Sequence, residues 1–214
     1  KEKLGATVYG VTMGIPAASE MLREALSLGI DKGILLTDRK FAGADTLATS
    51  YALSKGIERI GDFDLIICGK QATDGDTAQV GPQLAEHLGL PQITYVEELK
   101  IEGDKVIAKR ALENGYFVIE AKMPVLLTAI KELNKPRYPS IKGIYDAYKG
   151  DKVKVLTAKD VNADFDNIGL EGSPTQVMRS FTPPGRTGQG EIFQGDYKES
   201  VKKLVVRLRE KHLV

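Results

Sequence analysis

The first ninety residues alternate short apolar runs with stripes at helical spacing. Residues 6–12 read as a strand that passes through Met13-Gly14-Ile15-Pro16 into a helix. There Ala18, Met21, Leu22, Ala25 and Leu26 fall on one apolar face, and Gly29 ends the run in the manner of a left-handed helix terminus. Residues 33–37 form a second apolar strand. A polar loop follows and reaches Asp45-Thr46 at a helix start, with Leu47, Tyr51 and residues 53–57 helical. Residues 65–68 are a third buried strand, and residues 83–88 the next helix.

Strand and helix alternating at this pitch predict βαβ units, that is, a parallel sheet with helices on both faces. After Pro91 the pattern changes. Residues 92–96 are β-rich, residues 99–110 read as a hairpin around Glu102-Gly103-Asp104, and residues 116–119 and 125–128 add strands. This predicts an antiparallel extension of the same sheet. Two prolines keep residues 131–141 irregular. Ile141, Ile144 and Tyr145 then recur at helical spacing, on a short exposed helix or on one packed against its own domain. A long irregular stretch, residues 161–187, precedes a last helix over about residues 196–213, with Val201, Leu204, Val205 and Leu208 on one side. Such an arm either wraps a partner subunit or packs on its own chain.

All three loops at the strands' carboxyl ends carry Gly with Thr or Asp, and in this fold those loops converge on one sheet edge. The richest is Gly69-Lys70-Gln71-Ala72-Thr73-Asp74-Gly75-Asp76-Thr77-Ala78-Gln79-Val80-Gly81. It sits where open α/β folds bind nucleotides, since free N–H groups at a helix start suit a phosphate and small residues let a ligand come close. Simple helix capping by Asp and Thr is the alternative at each loop taken alone; convergence of the three favours the nucleotide.

Composition removes other classes. A net charge of +1 over 214 residues gives no field for nucleic acid, and no apolar run approaches the ~20 residues of a membrane span. One cysteine, Cys68, excludes an internal disulfide and reads as a small core residue rather than a redox thiol. Two distant histidines with one cysteine do not make a zinc site. Neither Ser140 nor His87 has a sequence-evident catalytic partner. Gly185-Arg186-Thr187-Gly188-Gln189-Gly190 lacks the order and setting of a dinucleotide fingerprint. The chain opens on Lys1-Glu2-Lys3 without Met, and an amino-terminal part of the natural protein is expected to be missing.

Several separated motifs, in order, resemble the β subunit of electron-transfer flavoproteins. They are Met13-Gly14-x-Pro16, Arg23-Glu24-Ala25-Leu26-x-Leu28-Gly29, Gly69-Lys70-Gln71-Ala72, Leu90-Pro91-Gln92, Asn134-x-Pro136-Arg137-Tyr138 and the arm after Phe181-Thr182-Pro183. The resemblance implies a Rossmann-like (adenine-nucleotide α-hydrolase-like) domain over residues 1–157, with a recognition loop at about 134–148. Residues 158–214 would be a carboxyl-terminal arm and helix wrapping an α subunit. The family's opening strand, which sits mid-sheet, has no counterpart here, so the chain is expected to be unstable without it. The bacterial or archaeal cytoplasm is the expected compartment.

Many members hold a structural AMP with an Asp-rich loop ending in Asn-Gln-Thr-Gly. This chain reads Asp74-Gly75-Asp76-Thr77-Ala78-Gln79-Val80-Gly81, and with Phe41-Ala42-Gly43-Ala44-Asp45-Thr46 it looks like members holding a second FAD and bifurcating electrons from NADH. The resemblance then implies ferredoxin or flavodoxin and an acyl-CoA dehydrogenase as partners. The chemistry would lie with the flavin, the protein supplying placement. Gly69, Gln71 and Ala72 would line the adenosine or phosphate side, and Asp74, Gly75, Asp76, Thr77, Ala78, Gln79 and Val80 the diphosphate. Met13 would touch adenine through its backbone, and Phe41, Asp45 and Thr46 the second flavin. Lys70 is either a phosphate partner or a solvated lysine. Tyr138, Ile141, Ile144 and Tyr145 would meet the dehydrogenase, with Ile141 as the apolar anchor.

Overall fold

The computed structural model describes residues 1–185 and 190–214, so the centre of the Gly185–Gly190 stretch lies outside the described residues. The chain forms two compact units, residues 1–176 and 177–214. The first opens with β1 (Tyr9–Met13), α1 (Ser19–Ser27), β2 (Lys32–Leu36), α2 (Thr46–Glu58), β3 (Leu65–Gly69) and α3 (Val80–His87). It continues with β4 (Gln92–Glu102), β5 (Lys105–Leu112), β6 (Gly115–Lys122), β7 (Val125–Ala129), α4 (Ile141–Tyr148) and β8 (Val153–Leu156). The predicted α/β class holds, with parallel strands and helices on both faces.

The one sheet expected from the pattern is two. Strands β1, β2 and β8 form a parallel sheet in the order β1-β2-β8, and the other five take the order β3-β7-β4-β5-β6. In the second sheet β3, β7 and the start of β4 run parallel, while β4, β5 and β6 form the predicted antiparallel extension. Strand β8, in a stretch that reads as polar (Asp151-Lys152-Val153-Lys154-Val155-Leu156), was not expected; it pairs with β2 from Gly33↔Val153 to Leu36↔Leu156.

Strands β1 and β3 are edge strands of the two sheets. Gly14 N–H donates to the Leu36 carbonyl at 3.0 Å, so the even-numbered amides of β1 face β2. Lys70 N–H donates to the Ala129 carbonyl at 3.0 Å, so the even-numbered amides of β3 face β7. Because strand amides alternate sides, Val11 and Met13 in β1 and Ile67 and Gly69 in β3 point their N–H groups at edges that carry no strand among the described residues. One core nonetheless joins the sheets. Ile57, Leu84, Ala85 and Leu126 are buried together and take in Val11 from β1 with Ile66 and Cys68 from β3.

Alternation along β2 shows the layering. Ile34 and Leu36 pack with Phe41 and Ala52, while Leu35 packs on the opposite face with Leu22 and Leu26 of α1 and Ala147 of α4. Each fully buried Leu of this kind stabilises by about 2 kcal/mol.

Residues 158–176 belong to this first unit. Ala158, Val161 and Ile168 are buried in the core with Phe41, and Ala158 N–H donates to Asp38 Oδ2 at 3.2 Å. The second unit carries α5 (Tyr197–Glu210), capped by Asp196 and tied by a two-pronged pair between Arg207 and Glu191. Within that unit no residue of α5 is buried, and Val201 and Leu204 of its apolar stripe are exposed.

Candidate functional site

The registers Met13↔Leu36 and Gly69↔Ala129 bring the carboxyl ends of neighbouring strands level within each sheet. Loops 37–45 and 70–79 leave from this edge, and one hydrogen bond joins them: Thr46 Oγ1 donates to Gln79 Oε1 at 2.9 Å. Thr46 opens α2 and Gln79 stands just before α3, so two predicted site residues meet at adjacent helix starts.

The loop before α3 is built to leave amides open. Asp76 N–H donates to the Ala72 carbonyl at 3.1 Å, making a tight turn, and the Gln71 amide pairs with the Asp76 carboxylate. Asp74 Oδ1 accepts from Gly75 N–H at 2.8 Å. Asp76 (φ 51°) and Ala78 (φ 54°) both take the left-handed conformation, which alanine adopts rarely. Gln79 gives α3 no side-chain cap. The N–H groups of Thr77, Ala78, Gln79, Val80 and Gly81 therefore have no acceptor among the described residues. Gly81 is also where α3 presses onto the sheet, since a Cβ there would lie 2.6 Å from Thr128 Cγ2. A run of unpaired amides at a helix start, free of a capping carboxylate, fits a nucleotide phosphate or diphosphate. Asp74 and Asp76 suit ribose hydroxyls better than phosphate.

The remaining expected residues divide. Met13 and Gly69 end β1 and β3 with their amides toward the open edges. Ala72 lends its carbonyl to the turn, and Thr77 is exposed. Phe41 is not brought to the edge: it is buried among Ile34, Leu36, Ala52 and Leu156, so its ring is closed to a flavin. Asp45 is committed elsewhere too. Its Oδ1 accepts from Leu47 and Ala48 N–H (3.0 and 3.1 Å), and its Oδ2 from Thr175 N–H and Oγ1 (3.1 and 2.8 Å). Burial works against its charge, yet the bonds from Ala48, Thr175 and Leu47 outweigh this and hold the carboxyl below its ordinary range. Ser173 Oγ accepts from Asp45 N–H at 2.8 Å and donates to the Gly169 carbonyl at 2.6 Å. Ser173 and Thr175 were invisible in the sequence because they lie some 130 residues from their partner. Burial pushes the Cys68 thiol up to about 11, which keeps it protonated and unreactive at neutral pH.

A second surface lies on α4 and the loop before it. Tyr138 and Ile141 are 95% and 89% exposed, and Ile144 and Tyr145 are exposed beside them. The opposite face of α4 is fixed to α1. Ser140 caps α4 by accepting from Gly143 N–H at 2.9 Å and Arg23 donates to the Ala147 carbonyl at 3.3 Å, while Tyr148, on the exposed face at the helix end, donates its O–H to Glu20 at 2.6 Å. Arg137 donates to the Leu28 carbonyl at the end of α1. Both readings of this helix hold at once: one side is packed and the other bare.

Residues 1–161 match the electron transfer flavoprotein domain. The chain is 57% identical over all its 214 residues to the electron transfer flavoprotein subunit beta of Thermoanaerobacterium thermosaccharolyticum, covering 82% of that protein. It is 50% identical over its whole length to the caffeyl-CoA reductase-Etf complex subunit CarD of Acetobacterium woodii, covering 81% of it. It is 46% identical to the acryloyl-CoA reductase electron transfer subunit gamma of Anaerotignum propionicum, with all of this chain and 82% of that protein aligned. A matched domain spanning most of the chain, on a sheet edge shaped for a nucleotide, settles the family: this chain belongs to the electron transfer flavoproteins, as a beta subunit, and so implies an alpha-subunit partner.

Proposed function

We propose that this subunit holds FAD in the loop before α3 and serves NADH-dependent electron bifurcation. The carrying observation is the run of unpaired amides from Thr77 to Gly81, with Ala78 left-handed at its centre. Asn tolerates that conformation better than Ala. An Ala kept there, beside Gly75 and Val80, favours room for a ligand larger than AMP. FAD in this site would take a hydride from NADH and release electrons singly, one toward ferredoxin or flavodoxin and one, by way of the alpha subunit's FAD, to an acyl-CoA dehydrogenase. The chain's own part is to bind and orient: amides of Thr77–Gly81 toward the phosphates, Asp74 and Asp76 toward ribose, Thr46 and Gln79 locking the two helix starts.

The names of the relatives support the partner class, since two of them serve caffeyl-CoA and acryloyl-CoA reductases. Tyr138, Ile141, Ile144 and Tyr145 form the docking patch for such a dehydrogenase, a small apolar centre suited to brief electron-transfer contact. The bare apolar stripe of α5 lies against the alpha subunit, and the complex works in the cytoplasm.

The first test is FAD and AMP content per complex with the alpha subunit, after reconstitution with excess FAD. Two FAD and no AMP are expected. One FAD with one AMP would retire bifurcation and leave a scaffold with a docking surface. For the patch, Ile141→Ala is expected to slow transfer to the dehydrogenase about tenfold, or ~1.4 kcal/mol, with flavin content intact. Parallel loss of flavin would sink that assignment.

A further inference from the structure

Beside the nucleotide loop, the carboxyl edge gathers three residues that lie apart in the sequence. Lys70 follows β3 directly, Tyr95 lies where β4 leaves β7, and Arg110 comes from β5. The Lys70 ammonium stands 5.5 Å and the Arg110 guanidinium 5.7 Å from the centre of the Tyr95 ring. Strand pairing places all three at one level: Lys70 N–H donates to the Ala129 carbonyl at 3.0 Å, Ile130 N–H to the Val96 carbonyl at 3.2 Å, and Arg110 pairs with Val96 across β4 and β5.

Tyr95 holds its place against resistance. Its φ of +58° is a rare conformation for an aromatic residue, and of the kind that gathers at ligand sites. One register break, against β7, spans Tyr95 between Ile93 and Val96, and another, against β5, follows between Val96 and Glu98; such irregularities re-aim side chains. Its N–H is satisfied by Thr128 Oγ1 at 3.0 Å, which keeps the strained backbone in position.

The charges are the second observation. Neither Lys70 nor Arg110 forms an ion pair among the described residues, although nearby Lys109 pairs with Glu98. Arg110 Nε is buried without a hydrogen-bond partner. Two cations drawn to one ring with no carboxylate between them repel, and a buried donor without an acceptor carries a desolvation cost. An anion relieves both.

We propose that Lys70, Tyr95 and Arg110 form an anion subsite for a phosphate group, at the same sheet edge as the amides of the α3 loop. Guanidinium fork and ammonium together are a phosphate-binding pair. The subsite depends on Lys70 standing beside the loop and not on whether FAD or AMP fills that loop. Its phosphate comes either from a bound nucleotide or from solution.

The test is calorimetric titration of inorganic phosphate, AMP and adenosine into the complex with the alpha subunit, stripped of the nucleotide in the α3 loop, at low salt, for the wild type, Lys70→Met and Arg110→Gln. Lys70 is exposed, so its variant keeps the test alive if Arg110→Gln does not fold. The expected result is at least a tenfold loss of phosphate and AMP affinity in each variant, with adenosine unchanged. Phosphate displaced by AMP would assign the subsite to a nucleotide phosphate, and additive binding to a free phosphate; either supports it. Wild-type indifference to phosphate, equal affinity in the variants, or matching losses for adenosine would overturn the proposal. Cofactor content measured on the same preparations reports separately on FAD against AMP.

Discussion

At the residue scale, Asp45 does two tasks with one carboxylate. Oδ1 caps α2, and Oδ2 holds Thr175 just before the first unit ends. Asp45→Ala is expected to cost about 2 kcal/mol in denaturant unfolding, through a lost cap and lost charged hydrogen bonds. It should also open the chain near Thr175 to limited proteolysis, which loss of a helix cap alone would not do. Since Asp45 is held below the ordinary carboxylate range, the latch contributes fully above that range. It weakens as pH falls through Asp45's lowered pKa. Protection of residue 175 from protease should follow that acid limb in the wild type and be pH-independent in Asp45→Ala. The helix start at Asp45-Thr46 was legible, because Asp followed by an apolar run is a local signal. Thr175 was not, because no local pattern encodes a partner so distant in the chain. Phe41 misled for a related reason: a lone aromatic in a polar loop looks available until the segment from Ala158 to Ile168 covers it.

At the scale of elements, α4 is placed by what its inner face lacks. A Cβ on Gly143 would lie 2.3 Å from the Ser27 carbonyl oxygen, a contact with rigid backbone. The contacts Gly143–Ser27, Ala147–Arg23 and Tyr148–Glu20 step in opposite directions along the two helices, so α4 runs antiparallel to α1. Gly143→Ala must therefore shift α4 and with it Ile141. The expected outcome is slower electron transfer to the dehydrogenase with unchanged nucleotide content, as for Ile141→Ala, but with a lower melting temperature as well. An unshifted melting temperature would mean that α4 is not held as described. Strands β2, β3 and β7 were readable as the short, largely apolar runs at 33–37, 65–68 and 125–128. Strand β8 was not, since its short Val-Lys-Val-Leu pattern is outweighed by flanking Asp and Lys, and only its partner β2 makes it a strand. The loop at 69–81 was legible as a place but not as a shape, because left-handed Asp76 and Ala78 are set by the turn as a whole.

At the scale of the whole molecule, the first unit is two half-sheets sharing a core rather than one sheet. Hydrogen exchange should show this residue by residue in the 214-residue chain. Amides of Val11, Met13, Ile67 and Gly69 are expected to exchange fast, while those of Thr12, Gly14, Cys68 and Lys70 are protected. Uniform protection along β3 would mean that its second edge is paired. Ile67, more than half exposed on a strand of otherwise core-forming residues, has a colloidal consequence. Leu65-Ile66-Ile67-Cys68 is a short, uncharged, β-prone segment with one ladder of donors and acceptors open, and such an edge recruits strands from neighbouring molecules. The chain should accordingly scatter light increasingly with concentration, and Ile67→Lys should raise its solubility without touching the buried side of the sheet. In the 214-residue chain taken alone, crowding between molecules is then felt first at one bare ribbon of backbone.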